Sequence, residues 1–180
     1  MNGPFVCCVA GIPGSGKSTV GRLLAARLGA VLLDQDTATN PLMAELARIT
    51  EAGDDLDHPA LRGPVRQARY DCLIDVAVEN VRIGWSAVMV APFTAEVRDP
   101  ASWAELGRRF DPVPLRLVWV DVPAAVAQDR RRLRNLPRDA AWRTSTTVDD
   151  VPPPVVPHLL TDGTADSATE AGRVAALLLA

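Results

Sequence analysis

The sequence predicts an α/β fold, a parallel β-sheet covered by helices on both faces, in a single domain over residues 1–180. Apolar segments rich in β-formers alternate with helical segments along the chain, which is the pattern of a parallel sheet. The 180 residues are 48% hydrophobic and 23% charged, which is the composition of one globular domain. A glycine-rich turn between the first strand and the first helix also favours this class.

Five strands are predicted from short apolar runs bounded by turn residues. The third run is fully apolar, as expected for a strand that is buried on both faces. The last run follows three consecutive prolines, which we interpret as a stiff surface connection. The predicted strands cover residues 5–10, 31–33, 87–91 and 115–120, and a last strand begins at Val155 and Val156.

Helices are predicted between the strands from apolar spacing and from start and stop signals. Pro41 opens the second helix, with Thr39 or Asn40 as its cap, and Pro59 opens a long third helix. The predicted helices end at residue 28, span 41–50, 59–83 and 103–109, run from 123 into an arginine-rich stretch, and end with 167–179.

Two of these helices carry a further start signal. Ser102 with Glu105, and Ser167 with Glu170, match the capping box in which two side chains bond reciprocally to the first turn. In the long third helix, small and apolar residues recur at helical spacing and predict its buried face. These residues are Val65, Ala68, Cys72 and Val76.

Charge and composition exclude several classes of function. The net charge of -3 gives no overall positive field for nucleic acid, so we do not expect a nucleic-acid partner. No apolar run approaches the ~20 residues of a membrane helix, and no signal segment opens the chain, so we expect a cytoplasmic protein without a membrane partner. The cysteines Cys7, Cys8 and Cys72 lack metal-binding spacing and are expected to be buried apolar thiols.

The motif that carries the chemistry is GIPGSGKS, residues 11–18, which matches G-x-x-x-x-G-K-[ST]. The backbone N–H groups of such a turn and of the following helix bind phosphate groups. Lys17, the single lysine of the chain, is expected to reach the β- and γ-phosphates of ATP, and the Ser18 hydroxyl to bind Mg²⁺. The predicted nucleotide-binding residues of this motif are Gly11, Gly14, Ser15, Gly16, Lys17, Ser18 and Thr19.

Two carboxylates follow the second strand. Asp34 and Asp36 lie where ligands bind in parallel sheets, and on an extended chain their side chains point the same way. We assign Asp36 as the base that accepts the proton of an attacking hydroxyl, and Asp34 as a supporting residue that orients water around Mg²⁺. The alternative is that they are capping or turn residues.

An arginine block follows the fourth strand, and we interpret it as a lid over residues 130–142. A positioned arginine stabilises the charge that develops on a transferring phosphoryl group. Arg132 and Arg138 are the candidates for that role, while Arg130 and Arg134 are one helical turn apart and are candidates to pack on adenine. The alternative is a solvated basic face.

The region between the second and third strands, residues 36–83, is predicted to bind the acceptor. Arg62, Arg66 and Arg69 share one face of the long helix and could hold an anionic or highly hydroxylated acceptor, with Tyr70 adjacent. An exposed surface is the alternative for the arginines. Phe93, just past the third strand, either stacks on a ring of the acceptor or belongs to the core.

Together these features resemble the small P-loop kinases of the chloramphenicol phosphotransferase, zeta-toxin and gluconate-kinase group, and within it the actinobacterial AAA-family ATP-binding proteins. The resemblance implies a P-loop fold with a five-stranded parallel sheet in the order 2-3-1-4-5. It also implies that Asp36 activates a substrate hydroxyl. The matching pieces are residues 11–19, 34–37, 91–93 and 117–120, and Arg132 with 137–139.

The chain departs from this group at two positions. Related chains often have a lysine between the two aspartates, where this one has Gln35, and an acid at the end of the third strand, where this one has Val90. Without that acid, Mg²⁺ would depend on Ser18, the phosphates and water, with help from Asp34.

The predicted function is ATP-dependent transfer of a phosphoryl group to a hydroxyl of a small molecule by a monomer or homodimer. An antibiotic containing a nucleoside or sugar is one hypothesis for the acceptor, in self-resistance; a nucleoside, sugar or metabolite is the alternative. A polynucleotide kinase and a regulatory nucleotide-binding protein are further alternatives. A GTPase would normally read guanine with Asn-Lys-x-Asp, and the single lysine, Lys17, lies in the phosphate-binding turn instead.

Overall fold

The computed structural model describes residues 3–50, 64–134 and 152–180. Its five strands are all parallel and lie in the order β2-β3-β1-β4-β5, which confirms the predicted fold class and strand order. No helix among the described residues is both long enough and apolar enough to cross a membrane. The strands are β1 (Val6–Ala10), β2 (Val31–Asp34), β3 (Ala87–Val90), β4 (Leu115–Asp121) and β5 (Leu159–Asp162).

Helices cover both faces of the sheet. The first and last helices pack on one face against Cys7, Val9 and Val88 of the central strands, and the third and fourth pack on the other face against Cys8 and Met89. Alternate residues of a strand point to opposite faces, so a continuous apolar run serves both layers. The helices are α1 (Lys17–Leu28), α2 (Gln35–Ile49), α3 (Pro64–Arg82), α4 (Pro100–Arg108), α5 (Ala124–Arg134) and α6 (Ser167–Leu179).

The buried face of α3 differs from the prediction. Ala68, Cys72 and Val76 are exposed, and a stripe of larger side chains faces the sheet instead. Two apolar stripes fit helical spacing here, and the one with more apolar surface gains more free energy when it is buried. The buried residues are Tyr70, Leu73, Ile74, Ala77, Val78 and Val81.

The three cysteines differ in their burial. Cys7 and Cys8 are fully buried in β1, as predicted, and burial raises the pKa of Cys7 to about 12 and that of Cys8 well above its ordinary value. Cys72 is exposed on α3, so the prediction that all three thiols are buried is wrong for this residue.

Several element boundaries also differ from the predictions. The last strand begins at Leu159 rather than Val155, whose N–H donates to the carbonyl oxygen of Val97 in an extended connection before β5. Aspartates, rather than the predicted serines, cap two helices: Asp99 caps α4 and Asp166 caps α6, each by accepting from backbone N–H groups of the first turn. An aspartate one or more residues earlier competes well for this position because its carboxylate is a strong acceptor.

The largest shift is the start of α2, which begins at Gln35 and contains Pro41 in its interior. Asp34 caps this helix: its Oδ1 accepts from the backbone N–H groups of Asp36 at 3.0 Å and Thr37 at 3.2 Å. A proline inside a helix removes one backbone hydrogen bond and is normally destabilising. Side-chain contacts from α3 to this first turn, described below, offset that loss.

Replacing Asp34 with alanine should therefore lower the free energy of unfolding by about 0.5–2 kcal/mol, because two N–H groups lose their acceptor. Asparagine is also a good cap and should retain most of the stability. Urea unfolding of the two variants measures the difference. Equal stability of the two variants would show that Asp34 does not cap α2 in solution.

Candidate active site

The phosphate-binding turn connects β1 to α1. Gly14 and Gly16 have φ values of 89° and 97°, in the left-handed region that glycine adopts without strain. A Cβ atom on Gly14 would lie 2.4 Å from the backbone oxygen of Ala127 on α5, so this glycine also permits a close approach of two backbones. Lys17 and Ser18 are half-buried in the first turn of α1. The turn therefore has the open backbone and helix N-terminus that a phosphate group requires.

Two residues outside the motif support this turn. Arg130 donates from Nη1 to the backbone oxygen of Ser15 at 3.2 Å, which places α5 against the turn. Gly163, in the loop after β5, lies so close that a Cβ there would be 2.7 Å from the same oxygen. Sequence reasoning missed Gly163, although an Asp-Gly-Thr turn directly after a strand was the available signal. The Ser15 hydroxyl is buried and has no hydrogen-bond partner among the described residues.

Asp36 lies in the first turn of α2, beyond the end of β2. Arg69 of α3 donates from Nη2 to Oδ1 of Asp36 at 3.1 Å and to the side-chain oxygen of Asn40 at 3.0 Å. Its Nε donates to the hydroxyl of Thr39 at 2.7 Å, and that hydroxyl donates to the backbone oxygen of Gln35. The Arg69 side chain is 19% exposed. One guanidinium thus holds the carboxylate and the first turn of α2 together.

The expected geometry of the two aspartates is wrong. Asp34 is the last strand residue and Asp36 is already helical, so their side chains do not extend in parallel. The Asp34 carboxylate turns back to the helix N-terminus, while Asp36 contacts α3. Asp34 is thus a capping residue, the alternative considered above, and Asp36 stays the candidate base.

The predicted acceptor residues of α3 have different environments. Arg66 is exposed and donates from Nη2 to the Thr94 hydroxyl at 2.7 Å, which connects α3 to the loop after β3. Arg69 is engaged with Asp36, as described. Arg62 lies outside the described residues. Arg66 and Arg69 therefore have different partners, and they do not form one row of equivalent side chains.

Tyr70 and Phe93 belong to the core. Phe93 is fully buried, and Tyr70 is buried against it with the rings edge to face and their centroids 5.7 Å apart. Phe93 has a φ of 47°, and its N–H donates to the Tyr70 hydroxyl at 3.1 Å. Burial, and then the carboxylate of Glu96, raise the pKa of Tyr70. Phe93 therefore belongs to the core, which is one of the two alternatives considered above, and Tyr70 is a core residue beside it rather than an exposed acceptor contact.

Replacing Tyr70 with phenylalanine should lower the free energy of unfolding by about 1–3 kcal/mol, because the buried N–H of Phe93 would lose its acceptor. Phenylalanine retains the aromatic ring, so the change tests the hydroxyl group alone. Chemical denaturation gives the difference. A change smaller than about 0.5 kcal/mol, as at an ordinary surface position, would contradict the assignment.

The arginine block lies on and beyond α5. Arg130 contacts the phosphate-binding turn, whereas Arg132 is exposed and pairs with Asp129 of its own helix at 3.4 Å. In this structure Arg132 thus does not face the turn. Arg134 ends α5, and Arg138 and the rest of the predicted lid beyond it lie outside the described residues.

The comparisons with known proteins agree with this geometry. Residues 6–150 match the AAA domain family. The chain belongs to that family. No curated protein matches the sequence. The match includes the phosphate-binding turn, Asp36, Arg69 and Arg130, so it covers the whole candidate site of this AAA domain.

Solved structures similar to this AAA domain include kinases. APS kinase of Mycobacterium tuberculosis, in complex with AMPPNP and APS, is 20% identical over 100% of both chains, with a TM-score of 0.67. A sugar kinase from Janibacter sp. is 18% identical over 97% of this chain and 94% of that one, with a TM-score of 0.65. A gluconokinase from Sinorhizobium meliloti is 18% identical over 99% and 98%, with a TM-score of 0.59. The AAA domain thus has the fold of P-loop kinases.

The two departures noted in the sequence have distinct surroundings in this AAA domain. Val90 packs against α1, where a Cβ on Gly21 would lie 2.3 Å from its Cγ2. Gln35 is buried in the first turn of α2, and its Nε2 has no hydrogen-bond partner among the described residues. No group of three metal-binding side chains occurs within residues 3–50, 64–134 and 152–180.

Proposed function

We propose that this AAA domain is an ATP-dependent phosphotransferase that moves the γ-phosphoryl group to a hydroxyl of a small molecule. The observation that carries the proposal is the pairing of a phosphate-binding turn after β1 with a carboxylate, Asp36, that Arg69 holds beyond the end of β2. Both features lie at the carboxyl edge of the sheet, where ligands bind in such folds. A nucleotide switch has no need for a base held at that place.

The residues present fit ATP. Gly14 and Gly16 give the turn the left-handed backbone that directs N–H groups at a phosphate, and the buried hydroxyl of Ser15 has a hydrogen bond left to make. Lys17 would pair with the β- and γ-phosphates, and the N-terminus of α1 adds its partial positive charge. The APS kinase structure with AMPPNP, which has the same fold, supports this assignment.

Mg²⁺ would be held by the Ser18 hydroxyl, with the remaining positions filled by phosphate oxygens and water. The ion would neutralise charge on the phosphates. Asp34 is the predicted residue that would assist through water, but its Oδ1 already accepts two backbone N–H groups. We therefore assign Ser18 as the direct protein ligand of Mg²⁺, and Asp34 primarily as the N-terminal cap of α2.

Asp36 would accept the proton of the attacking hydroxyl and orient its oxygen towards the phosphate-binding turn. Arg69 fixes the carboxylate through one bond and orients the turn of α2 through two more. Positioning of this kind accounts for a large share of catalysis in phosphoryl transfer, because little covalent chemistry is left to the protein. The roles of the lid arginines stay predictions: stabilising the transferred phosphoryl group for Arg132 and Arg138, and packing on adenine for Arg130 and Arg134.

Replacing Arg69 with methionine should lower kcat by roughly 10- to 100-fold, because a carboxylate displaced by about 1 Å loses that much. The KM for ATP should change little, since Arg69 contacts no part of the phosphate-binding turn. Arg82→Met, at the exposed far end of α3, is the matched control. Steady-state kinetics measure kcat and the KM for ATP separately. A raised KM for ATP with normal kcat would contradict the positioning role.

The acceptor is set by side chains rather than by the fold, since kinases of the same fold phosphorylate different molecules. A sugar, a nucleoside or another metabolite is compatible with the proposal, as is an antibiotic that contains such a unit. Arg66, exposed beside Thr94, remains a candidate acceptor contact.

An acceptor screen tests the proposal. Purified protein, ATP and Mg²⁺ are incubated with panels of sugars, nucleosides, metabolites and antibiotics, and the products are weighed by mass spectrometry for an added phosphoryl group. We expect slow ATP turnover alone and faster turnover with one class of acceptor. Acceptor-independent turnover of GTP, or transfer only to RNA ends, would overturn the proposal.

A further inference from the structure

A cavity of about 270 Å³ lies at the carboxyl end of β4, beside Ile12 of the phosphate-binding turn. Its volume equals that of about nine water molecules, below the roughly 300–1,000 Å³ of sites for drug-sized ligands. It therefore fits one small ring with its substituents. The lining residues are Ile12, Trp119, Val120, Asp121, Val122, Pro123 and Ala124.

Two of these residues bring polar chemistry to the cavity. Trp119 and Asp121 are two apart on β4, so their side chains lie on the same face of the sheet. Asp121 is exposed and is the one charged residue among the described residues of the lining. Trp119 is 4% exposed, and its Nε1–H has no hydrogen-bond partner among the described residues. A buried donor without a partner is costly, so a ligand oxygen that reached it would be favoured.

The cavity and Asp36 lie on opposite sides of the phosphate-binding turn. The strand order puts the ends of β2 and β4 three spacings apart, roughly 14 Å. The turn after β1 lies between them. A molecule whose hydroxyl meets Asp36 would therefore place a different part of itself, one that does not react, in the cavity at β4.

We propose that this cavity binds the non-reacting end of the acceptor, and that this end is a sugar-sized ring that is uncharged or carries an amine. The inference rests on the proposed function. Asp121 accepts hydrogen bonds from hydroxyl or ammonium groups of the ring, and the Trp119 indole donates to one of its oxygens. Ile12, Val122 and Pro123 supply the apolar wall.

An anionic ring would bind less well. It would meet the Asp121 carboxylate, and no lining residue within the described part of the chain carries a positive charge to offset the repulsion. The lining therefore favours a neutral or cationic ring over a carboxylate or sulfate.

Three probes of one ring size and different charge test the proposal: D-glucosamine, D-glucose and D-glucuronate. The full chain is labelled with 5-fluorotryptophan at its four tryptophans and saturated with a non-hydrolysable ATP analogue and Mg²⁺. Each probe is titrated while the ¹⁹F resonances are recorded, after assignment by single Trp→Phe variants. The readout is binding, so it needs no turnover.

We expect the Trp119 resonance to shift saturably, with affinity falling from D-glucosamine to D-glucose to D-glucuronate in steps of about 2- to 5-fold, the size of exposed charge interactions. Asp121→Asn should remove most of that charge order, whereas Asp111→Asn, an exposed change in the loop before β4, should preserve it. Trp119→Phe, which removes the reporting resonance and is therefore followed by isothermal titration calorimetry, should weaken D-glucose binding by about 2- to 10-fold. Trp103→Phe, on the same face of the sheet, is its control.

Each contrary result is decisive. No response of Trp119 to any of the three probes would overturn the proposal, as would tightest binding of D-glucuronate or an unchanged charge order in Asp121→Asn. The expected order in a protein that turns over GTP without an acceptor, or transfers only to RNA ends, would overturn the proposed function and still support the ligand class of the cavity. The two failures are therefore distinguishable.

Discussion

Replacing Lys17 with alanine should lower ATP-dependent phosphoryl transfer by about 10²- to 10³-fold, the usual effect of removing one preorganised donor from a developing charge. Lys17 is the single lysine of the chain and lies in the first turn of α1 beside Gly16. No other lysine can take its place. Turnover measured at saturating ATP and acceptor separates this loss of rate from weaker binding.

Arg22→Ala is the matched control for this change. Arg22 is an exposed cation on the same helix, about one and a half helical turns after Lys17. Its removal alters net charge equally and should leave the rate within about twofold, as for other surface changes. A near-normal rate for Lys17→Ala would refute the assignment of the phosphate-binding turn.

Replacing Asp36 with asparagine should lower the chemical step by about 10²- to 10⁴-fold, the contribution of a positioned general base. Asparagine has nearly the same shape and retains an oxygen for Arg69, so the first turn of α2 should persist. ATP binding should be largely unaffected because the phosphate-binding turn is a separate segment. Single-turnover kinetics and equilibrium binding of an ATP analogue check the two parts.

The Asp34→Asn variant distinguishes the two carboxylates. Asparagine maintains the cap of α2, so this variant should lose less activity than Asp36→Asn. A larger loss in Asp34→Asn would reverse the assignment and make Asp34 the base.

Features that depend on neighbouring residues could be predicted from the sequence. The phosphate-binding turn is eight consecutive residues whose glycines and lysine act through their own backbone and the helix that follows. Strand positions in the core were accurate to within one residue for β1 to β4 because each run is apolar on both faces. The start of α2 was not, because Pro41 is a stronger local signal than the cap at Asp34.

Contacts between distant segments could not be predicted in the same way. Arg69 and Asp36 are 33 residues apart, and nothing in their local sequence indicates that they pair. Arg66 and Arg69 could be recognised in the sequence as arginines at helical spacing, but the partner of each depends on how α3 lies against α2 and the loop after β3. Tyr70 and Phe93, which the sequence alone left as candidates for acceptor contacts or for the core, are buried because α3 packs its larger apolar stripe on the sheet.

The sequence by itself determined the succession of strands and helices along the chain, the phosphate-binding turn and the identity of the two candidate carboxylates. These features follow from local pattern and composition. The tertiary structure decided which carboxylate caps a helix and which is held for chemistry, which face of α3 is buried, and that a cavity with Trp119 and Asp121 lies beside the turn. The physical reason is that burial and hydrogen-bond partners depend on segments far apart in the chain, whose packing is settled only when all layers of the domain are together.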